Sequence, residues 1–164
     1  MLVNKKIFQL RSLTETDRES VRQFMAEHWG SATMVVHGIS YDMPSLPGFL
    51  AYSQDEWLGL LTYHMQDGMC EIVSLDSLRE GYGIGTALIE EARTVARQSG
   101  YQRIWLITTN DNLHALRFYQ RRGFTLVALY REAVTAARKV KPEIPLIGDN
   151  GIPLRDEIEL ELLL

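Results

Sequence analysis

Apolar positions along this chain follow two different spacings, and each spacing predicts a different kind of element. In residues 84–99 they recur every three or four residues, which is typical of one face of a helix, and Gly100 supplies a stop. In residues 155–164, Ile158, Leu160 and Leu162 alternate with glutamates, as the two faces of a strand do. The chain is therefore expected to contain both helices and strands.

The same reasoning along the whole chain predicts a mixed α/β fold. The predicted strands are residues 7–13, 49–53, 57–65, 69–75, 103–108, 124–130 and 155–164. The predicted helices are residues 14–29, 84–99, 112–119 and 132–141. Residues 31–48 and 142–153 are expected to be irregular. At 164 residues the chain suits one substantial core, so residues 1–164 are expected to form a single domain.

Three glycines at every second position join the predicted strand at 69–75 to the helix that starts near residue 84. The sequence there is Glu80-Gly81-Tyr82-Gly83-Ile84-Gly85-Thr86. Glycine lets the backbone approach a ligand closely, and the first N–H groups of a helix have no partner within the helix. This arrangement predicts an anion site that suits a phosphate ester.

Two familiar kinds of glycine loop do not match these residues. A P-loop needs Gly-Lys-Ser/Thr at the helix start, whereas this chain has Gly85-Thr86 and no lysine there. A dinucleotide fingerprint needs a third small residue at fixed spacing, but Gly81 and Gly83 are followed by Thr86, and Gly83 and Gly85 by Leu88. A nucleotide-cofactor oxidoreductase is therefore disfavoured.

A second motif lies in the predicted helix at 112–119, which ends at a glycine. It reads Asn112-x-x-Ala115-x-x-Phe118-Tyr119-x-x-x-Gly123-Phe124. Together with the glycine loop, in this order and at this spacing, it resembles the GNAT N-acetyltransferase superfamily. The two motifs cover roughly residues 70–124.

The resemblance implies a GNAT-like mixed, mostly antiparallel sheet of about seven strands, splayed at the middle and flanked by about four helices. Acetyl-CoA would lie in the opening as co-substrate. The implied activity is transfer of its acetyl group to a primary amine of a small molecule or peptide, by direct attack in a ternary complex. The implied cofactor-binding residues are Leu75, Ser77, Gly81, Tyr82, Gly83, Ile84, Gly85, Thr86, Asn112 and Tyr119.

Acetyl transfer to an amine needs a neutral nucleophile, a polarised thioester carbonyl and a proton for the departing thiolate. Glu71, acting through a water, is the expected base, and burial would have to raise its pKa. The Leu75 amide is the expected oxyanion donor, and Tyr119 occupies the place of the family's general acid. The structural alternatives are a salt-bridged strand residue for Glu71 and a core aromatic for Tyr119.

Regular alternation along the strand that carries Glu71 would place Glu71, Val73 and Leu75 on one face. Cys70 would then face the other way as a small buried residue, so an acetyl-cysteine intermediate is not expected. One position departs from the family pattern, because Glu80 stands where Gln or Arg is usual. A carboxylate beside a pyrophosphate is unfavourable, so we expect the Glu80 amide to bind instead of its side chain.

The resemblance assigns acceptor recognition to the segment after the first helix. The aromatic and acidic residues there are Trp29, His37, Tyr41 and Asp42. Such a set suits an amine through cation–π and charge contacts, and it could equally serve to order a loop. The sequence therefore indicates the donor and leaves the acceptor open.

Composition limits the partners. The formal charge of −4, without a basic cluster, argues against a nucleic-acid surface and suits a cationic acceptor. No apolar run is long enough for a membrane span, and the single cysteine excludes an intramolecular disulfide framework, so a cytoplasmic location is expected. The four histidines share no metal-ligand spacing, so no metal is expected. A homodimer is compatible with these features. The alternative to an acetyltransferase is a non-catalytic acyl-CoA-binding regulatory module on the same fold.

Overall fold

The computed structural model describes residues 7–164 and contains nine strands and four helices. The strands are β1 (Gln9–Ser12), β2 (Thr33–Val36), β3 (Ile39–Asp42), β4 (Gly48–Ser53), β5 (Glu56–Gln66), β6 (Met69–Ser77), β7 (Arg103–Thr109), β8 (Thr125–Tyr130) and β9 (Glu157–Leu163). The helices are α1 (Arg18–Trp29), α2 (Ile84–Gln98), α3 (Leu113–Gln120) and α4 (Ala133–Val140).

Seven of the strands form one sheet in the order β1-β4-β5-β6-β7-β9-β8, and β2 and β3 form a separate hairpin. Every neighbouring pair in the large sheet is antiparallel except β6 and β7, which run parallel. This mostly antiparallel sheet with four helices confirms the predicted fold class.

The sheet opens between its two parallel strands. β6 and β7 pair only where Met69–Ile72 lies beside Arg103–Leu106. Beyond that point β6 continues to Ser77 and β7 to Thr109, and no further pairing joins them within the described chain. The predicted splay at the middle of the sheet is therefore confirmed.

Each face of the sheet carries its own apolar core. On one face, α2 buries Leu88, Ile89, Ala92 and Ala96 in the larger core, as the helical spacing of these residues requires. On the other face, α1 and the β2–β3 hairpin cover a smaller core that includes Val73 of β6. No helix within residues 7–164 is long and apolar enough to cross a membrane.

The prediction that residues 31–48 are irregular was wrong. Met34 pairs with Tyr41 in the β2–β3 hairpin, whose turn is His37-Gly38. Both turn residues have positive φ angles, 52° and 71°, which is the backbone that a two-residue hairpin turn needs. Histidine is less common than asparagine or glycine at such a position, so the turn signal was easy to overlook.

The prediction that Glu71, Val73 and Leu75 share a face was also wrong. The β5–β6 register shifts between Thr62, opposite Ser74, and Tyr63, opposite Ile72, which leaves Val73 as an extra residue. Such a bulge breaks the alternation of side chains along a strand. As a result Leu75 packs against the larger core with Cys70, whereas Glu71 faces away from it.

Candidate active site

A cavity of about 720 Å³ lies at the end of β6, between the glycine loop and α3. It brings together nine of the ten predicted cofactor residues: Leu75, Ser77, Gly81, Gly83, Ile84, Gly85, Thr86, Asn112 and Tyr119. Tyr82 does not line it and is 48% exposed. We call this the cofactor cavity.

The glycines of the loop serve two different purposes. Gly81 and Gly83 have φ angles of 78° and 75°, and a Cβ at either position would meet no atom within 4 Å. Their left-handed backbone favours glycine, and the space in front of them is open to a ligand. Gly85 has no such φ, but a Cβ there would lie 2.9 Å from the Phe118 ring, so this glycine permits α2 to pack closely on α3.

No side chain caps the N-terminus of α2, because Gly83 occupies the N-cap position. Its first-turn N–H groups and the positive end of the helix dipole therefore lie at the cavity, as an anion site requires. Arg122 also lines the cavity and donates from Nε to the Thr86 hydroxyl at 2.8 Å. Its positive charge was not predicted, because Arg121-Arg122 carries no indication of which arginine turns inward.

Residues beside the loop bring charges of both signs to the cavity. Arg79 and Glu80 both line the cavity, and Arg79 is paired with Glu56 at 2.9 Å. On the opposite wall Asn112 caps α3, where its Oδ1 accepts the Ala115 N–H at 3.0 Å. Asn112 therefore both begins α3 and forms part of the cavity wall.

Tyr119 lies against the end of the cavity and is 7% exposed. Its ring meets those of Phe118 and Phe124 edge to face, with centroids 5.2 and 5.3 Å apart. Burial, and then the charge of Asp76, raises the pKa of Tyr119. The phenol therefore keeps its proton at neutral pH, which a general acid needs.

Asp76 was not singled out from the sequence, yet it lines the cofactor cavity beside Leu75 and Ser77. The indole Nε1 of Trp29, at the end of α1, donates to both carboxylate oxygens of Asp76 at 3.0 and 3.1 Å. Burial raises the pKa of Asp76 to about 6, although the Trp29 bond acts in the opposite direction. Trp29 thus reaches the cofactor cavity through Asp76.

A second cavity, of about 340 Å³, lies between the β2–β3 hairpin and the large sheet. It contains three of the predicted residues, His37, Tyr41 and Glu71. The Tyr41 hydroxyl donates to Glu71 Oε2 at 2.6 Å. Burial raises the pKa of Glu71, and the Tyr41 bond partly offsets that rise. We call this the acidic cavity.

Two glutamates of β9 add to the negative charge near this cavity. Glu159 lines it and accepts hydrogen bonds from Tyr130 and Arg103, which outweigh burial and lower its pKa. Glu157 is also buried, and burial raises its pKa; it accepts the His37 N–H at 3.4 Å. The alternation of β9 was predicted, but its polar face was not recognised as part of a site.

The structure also places His37, Asp42 and Cys70. His37 packs against Trp105 and Tyr130, and burial lowers its pKa. Asp42 is exposed, accepts a hydrogen bond from Ser45 and does not line the acidic cavity. Burial raises the pKa of the Cys70 thiol. No group of three His, Cys, Asp or Glu side chains within residues 7–164 is placed to hold a metal ion.

Comparison with known proteins agrees with this geometry. Residues 9–124 match the acetyltransferase (GNAT) family, so the chain belongs to that family. It is 48% identical over 147 residues to the protein YxbD of Bacillus subtilis (strain 168), covering 89% of this chain and 92% of that protein. It is 34% identical over 99 residues to the streptothricin acetyltransferase of Streptomyces lavendulae, covering 60% of this chain and 47% of that protein.

Solved structures show the same fold. An IAA acetyltransferase from Bacillus cereus ATCC 14579 superposes with a TM-score of 0.71 at 18% identity, covering 96% of this chain and 99% of that chain. A GNAT family acetyltransferase from Elizabethkingia anophelis with acetyl-CoA bound gives a TM-score of 0.69 at 19% identity, covering 98% of this chain and 100% of that chain.

Proposed function

We propose that this protein is an N-acetyltransferase that transfers the acetyl group of acetyl-CoA to a primary amine of a small molecule or peptide. The observation that carries the proposal is the cofactor cavity, where two left-handed glycines and an uncapped helix N-terminus meet Tyr119 at the opening of the sheet. Backbone N–H groups and Arg122 suit a diphosphate at one end of this cavity. The thioester would then lie toward Tyr119.

The proposed chemistry is direct attack in a ternary complex. Glu71 takes a proton from the acceptor's ammonium group through a water, and the amine nitrogen then attacks the thioester carbonyl. The Leu75 amide donates to the oxygen as negative charge develops there. As the carbon–sulfur bond breaks, Tyr119 gives its proton to the sulfur and recovers one from the new amide nitrogen by way of solvent. The net products are an amide, free coenzyme A and one proton.

The acidic cavity supports a cationic acceptor. Glu71 and Glu157 are buried carboxylates that contact no cationic side chain in the described part of the chain. Burying such charges is unfavourable unless a positive charge approaches them. A streptothricin acetyltransferase matches part of this chain, and a ribosomal-protein-S18-alanine N-acetyltransferase shares its fold, so the proposal includes amines of both antibiotics and proteins. A cytoplasmic location and a homodimer stay predictions.

Two measurements test the proposal. Calorimetry should detect acetyl-CoA binding and give no signal with NAD. Thiol release should then occur with at least one member of a panel that contains polyamines, aminoglycosides, streptothricin, amino acids and peptide N-termini. Tight acetyl-CoA binding without thiol release from any amine would instead favour the non-catalytic regulatory module. Absence of acetyl-CoA binding would refute both functions.

A further inference from the structure

Asp76 is a carboxylate in a cavity that otherwise suits an anionic cofactor. It lies near the end of β6, where that strand has separated from β7, and it shares the cofactor cavity with Tyr119. The Trp29 indole is its hydrogen-bond donor, and no lysine or arginine within residues 7–164 forms an ion pair with it. Its negative charge therefore has no lysine or arginine counter-ion among these residues.

The surroundings of Asp76 come from three parts of the fold. His28 lies on α1 and Tyr119 on α3, and each interacts electrostatically with Asp76. Arg79, Glu80 and Arg122 line the same cavity from the loops. None of these five side chains forms a hydrogen bond with the carboxylate.

Trp29 gives the carboxylate a fixed orientation. One N–H group shared between two oxygens holds the carboxylate plane toward the indole, and α1 anchors Trp29 at the mouth of the opening. Only one donor is used, although a carboxylate can accept about four hydrogen bonds. Acceptor capacity therefore remains for a ligand in the cofactor cavity, where β6 has separated from β7.

We propose that Asp76, oriented by Trp29, holds the acceptor's ammonium group at the opening between β6 and β7, beside the thioester of acetyl-CoA. This inference rests on the proposed function and adds a residue to it. The Asp76 carboxylate binds the ammonium group by charge and hydrogen bonding. Glu71 then takes the proton through a chain of waters, and the nitrogen remains held in position for attack. Asp76 keeps its charge throughout the step, so it does not replace Glu71 as the base.

The steady-state test compares Asp76→Asn with wild-type protein. Asparagine keeps the size of the side chain and an oxygen that can accept the Trp29 N–H, but it removes the charge. We expect the KM of the best acceptor from the amine panel to rise about 30-fold, with kcat changed by less than about threefold. Acetyl-CoA affinity should stay within about threefold. Asp55→Asn, in the exposed β4–β5 turn, is the matched control and should change nothing.

A second variant separates positioning from charge. Trp29→Phe keeps an aromatic ring and removes the donor, so we expect a smaller rise in acceptor KM, about fivefold. An unchanged acceptor KM in Asp76→Asn, with its melting temperature preserved, would overturn the inference. A large loss of acetyl-CoA affinity in the same variant would also overturn it, since the role would then lie in cofactor binding.

A binding experiment gives a result even if no amine is acetylated. Calorimetry on the protein saturated with coenzyme A would use 1,4-diaminobutane as the probe and 1,4-butanediol as its uncharged counterpart. We expect the diamine alone to bind the wild-type complex, and its affinity to fall about 30-fold in Asp76→Asn. Equal affinity of the wild-type protein and Asp76→Asn for the diamine would refute Asp76 as the ammonium site. So would a wild-type complex that shows no preference for the diamine over the diol. Diamine selectivity without any turnover would refute the proposed catalysis instead.

Discussion

The two cavities of this protein lie against one sheet but are built in different ways. The cofactor cavity is lined by residues from a short span of the chain, and its main features are backbone features: two left-handed glycines and the free N–H groups of α2. The acidic cavity is lined by side chains from the hairpin and from β5 through β9. In the proposed function, backbone geometry therefore characterises the donor side, and side-chain charge the acceptor side.

This difference suggests how the two sides respond to change. A site made of backbone needs particular conformations and tolerates few substitutions at its glycines. A site made of side chains can change its specificity through single substitutions without loss of the fold. A conserved donor and a variable acceptor can then coexist in one domain.

Gly83→Val should weaken acetyl-CoA binding about 1,000-fold. Valine is strained at a φ of 75°, and its side chain would enter the space in front of the loop, which together should cost about 4 kcal/mol. Calorimetry measures the effect. Gly100→Val is the matched control, because Gly100 has the same φ of 75° at the other end of α2 and open space around it. Similar loss of affinity in both variants would mean that strain in α2, and not the cavity, is responsible.

Tyr119→Phe should lower kcat about 300-fold and leave acetyl-CoA affinity nearly unchanged, because the ring packing is kept and only the proton donor is lost. The assay must be limited by chemistry, which a rapid-quench measurement of the first turnover establishes. Tyr101→Phe, a partly buried tyrosine outside the cavity, is the control. Unchanged turnover in Tyr119→Phe would remove Tyr119 from the mechanism and leave it as a core aromatic.

Tyr41→Phe should move the acidic limb of the kcat profile to higher pH. The Tyr41 hydroxyl stabilises the Glu71 carboxylate and so lowers a pKa that burial has raised. Without that hydroxyl Glu71 stays protonated to a higher pH, so the carboxylate that acts as base forms only at a higher pH. We therefore expect kcat near neutral pH to fall about fivefold. Glu71→Gln should abolish the limb. A limb that stays in place in Tyr41→Phe would exclude Glu71 as its origin.

Glu157→Gln should stabilise the fold slightly at neutral pH. Burial raises the pKa of Glu157 in the folded state, so its stabilising contribution is present below the unfolded value of about 4.3 and is lost as pH rises through the folded value. We expect a melting temperature about 2 °C higher at pH 7, with no gain near pH 4. Glu143→Gln, at an exposed loop position, should have no effect at either pH. A lower melting temperature at pH 7 would show that the His37 contact outweighs the burial of the charge.

The sequence grouped the residues of the cofactor cavity well because the signals there are local. The glycines, the α2 periodicity and the Asn112 cap all act within a few residues of their own positions, so spacing alone reveals them. Nine of the ten proposed cofactor residues lie around one cavity for this reason. Tyr82, the tenth, faces outward, since a motif specifies the backbone more strictly than the direction of an intervening side chain.

The residues of the acidic cavity were grouped less completely, because tertiary structure brings them together from distant parts of the chain. Glu157 and Glu159 read as the polar face of a strand, and only the order of strands shows that β9 lies beside β7 and near Glu71. Asp76 had no signal at all, since its partner Trp29 is 47 positions away. The hairpin that carries Tyr41 was missed with its His37-Gly38 turn, although Tyr41 itself was selected.

The bulge at Val73 lets a single strand serve both substrates. The bulge changes which side of the sheet the following residues face. Glu71 therefore lines the acidic cavity, and Leu75 lines the cofactor cavity. In the proposed function, amine and thioester would therefore arrive from separate directions, and neither would have to leave before the other enters. With strict alternation through Val73, Leu75 would instead share the face of Glu71, and both partners would compete for the same side of the sheet.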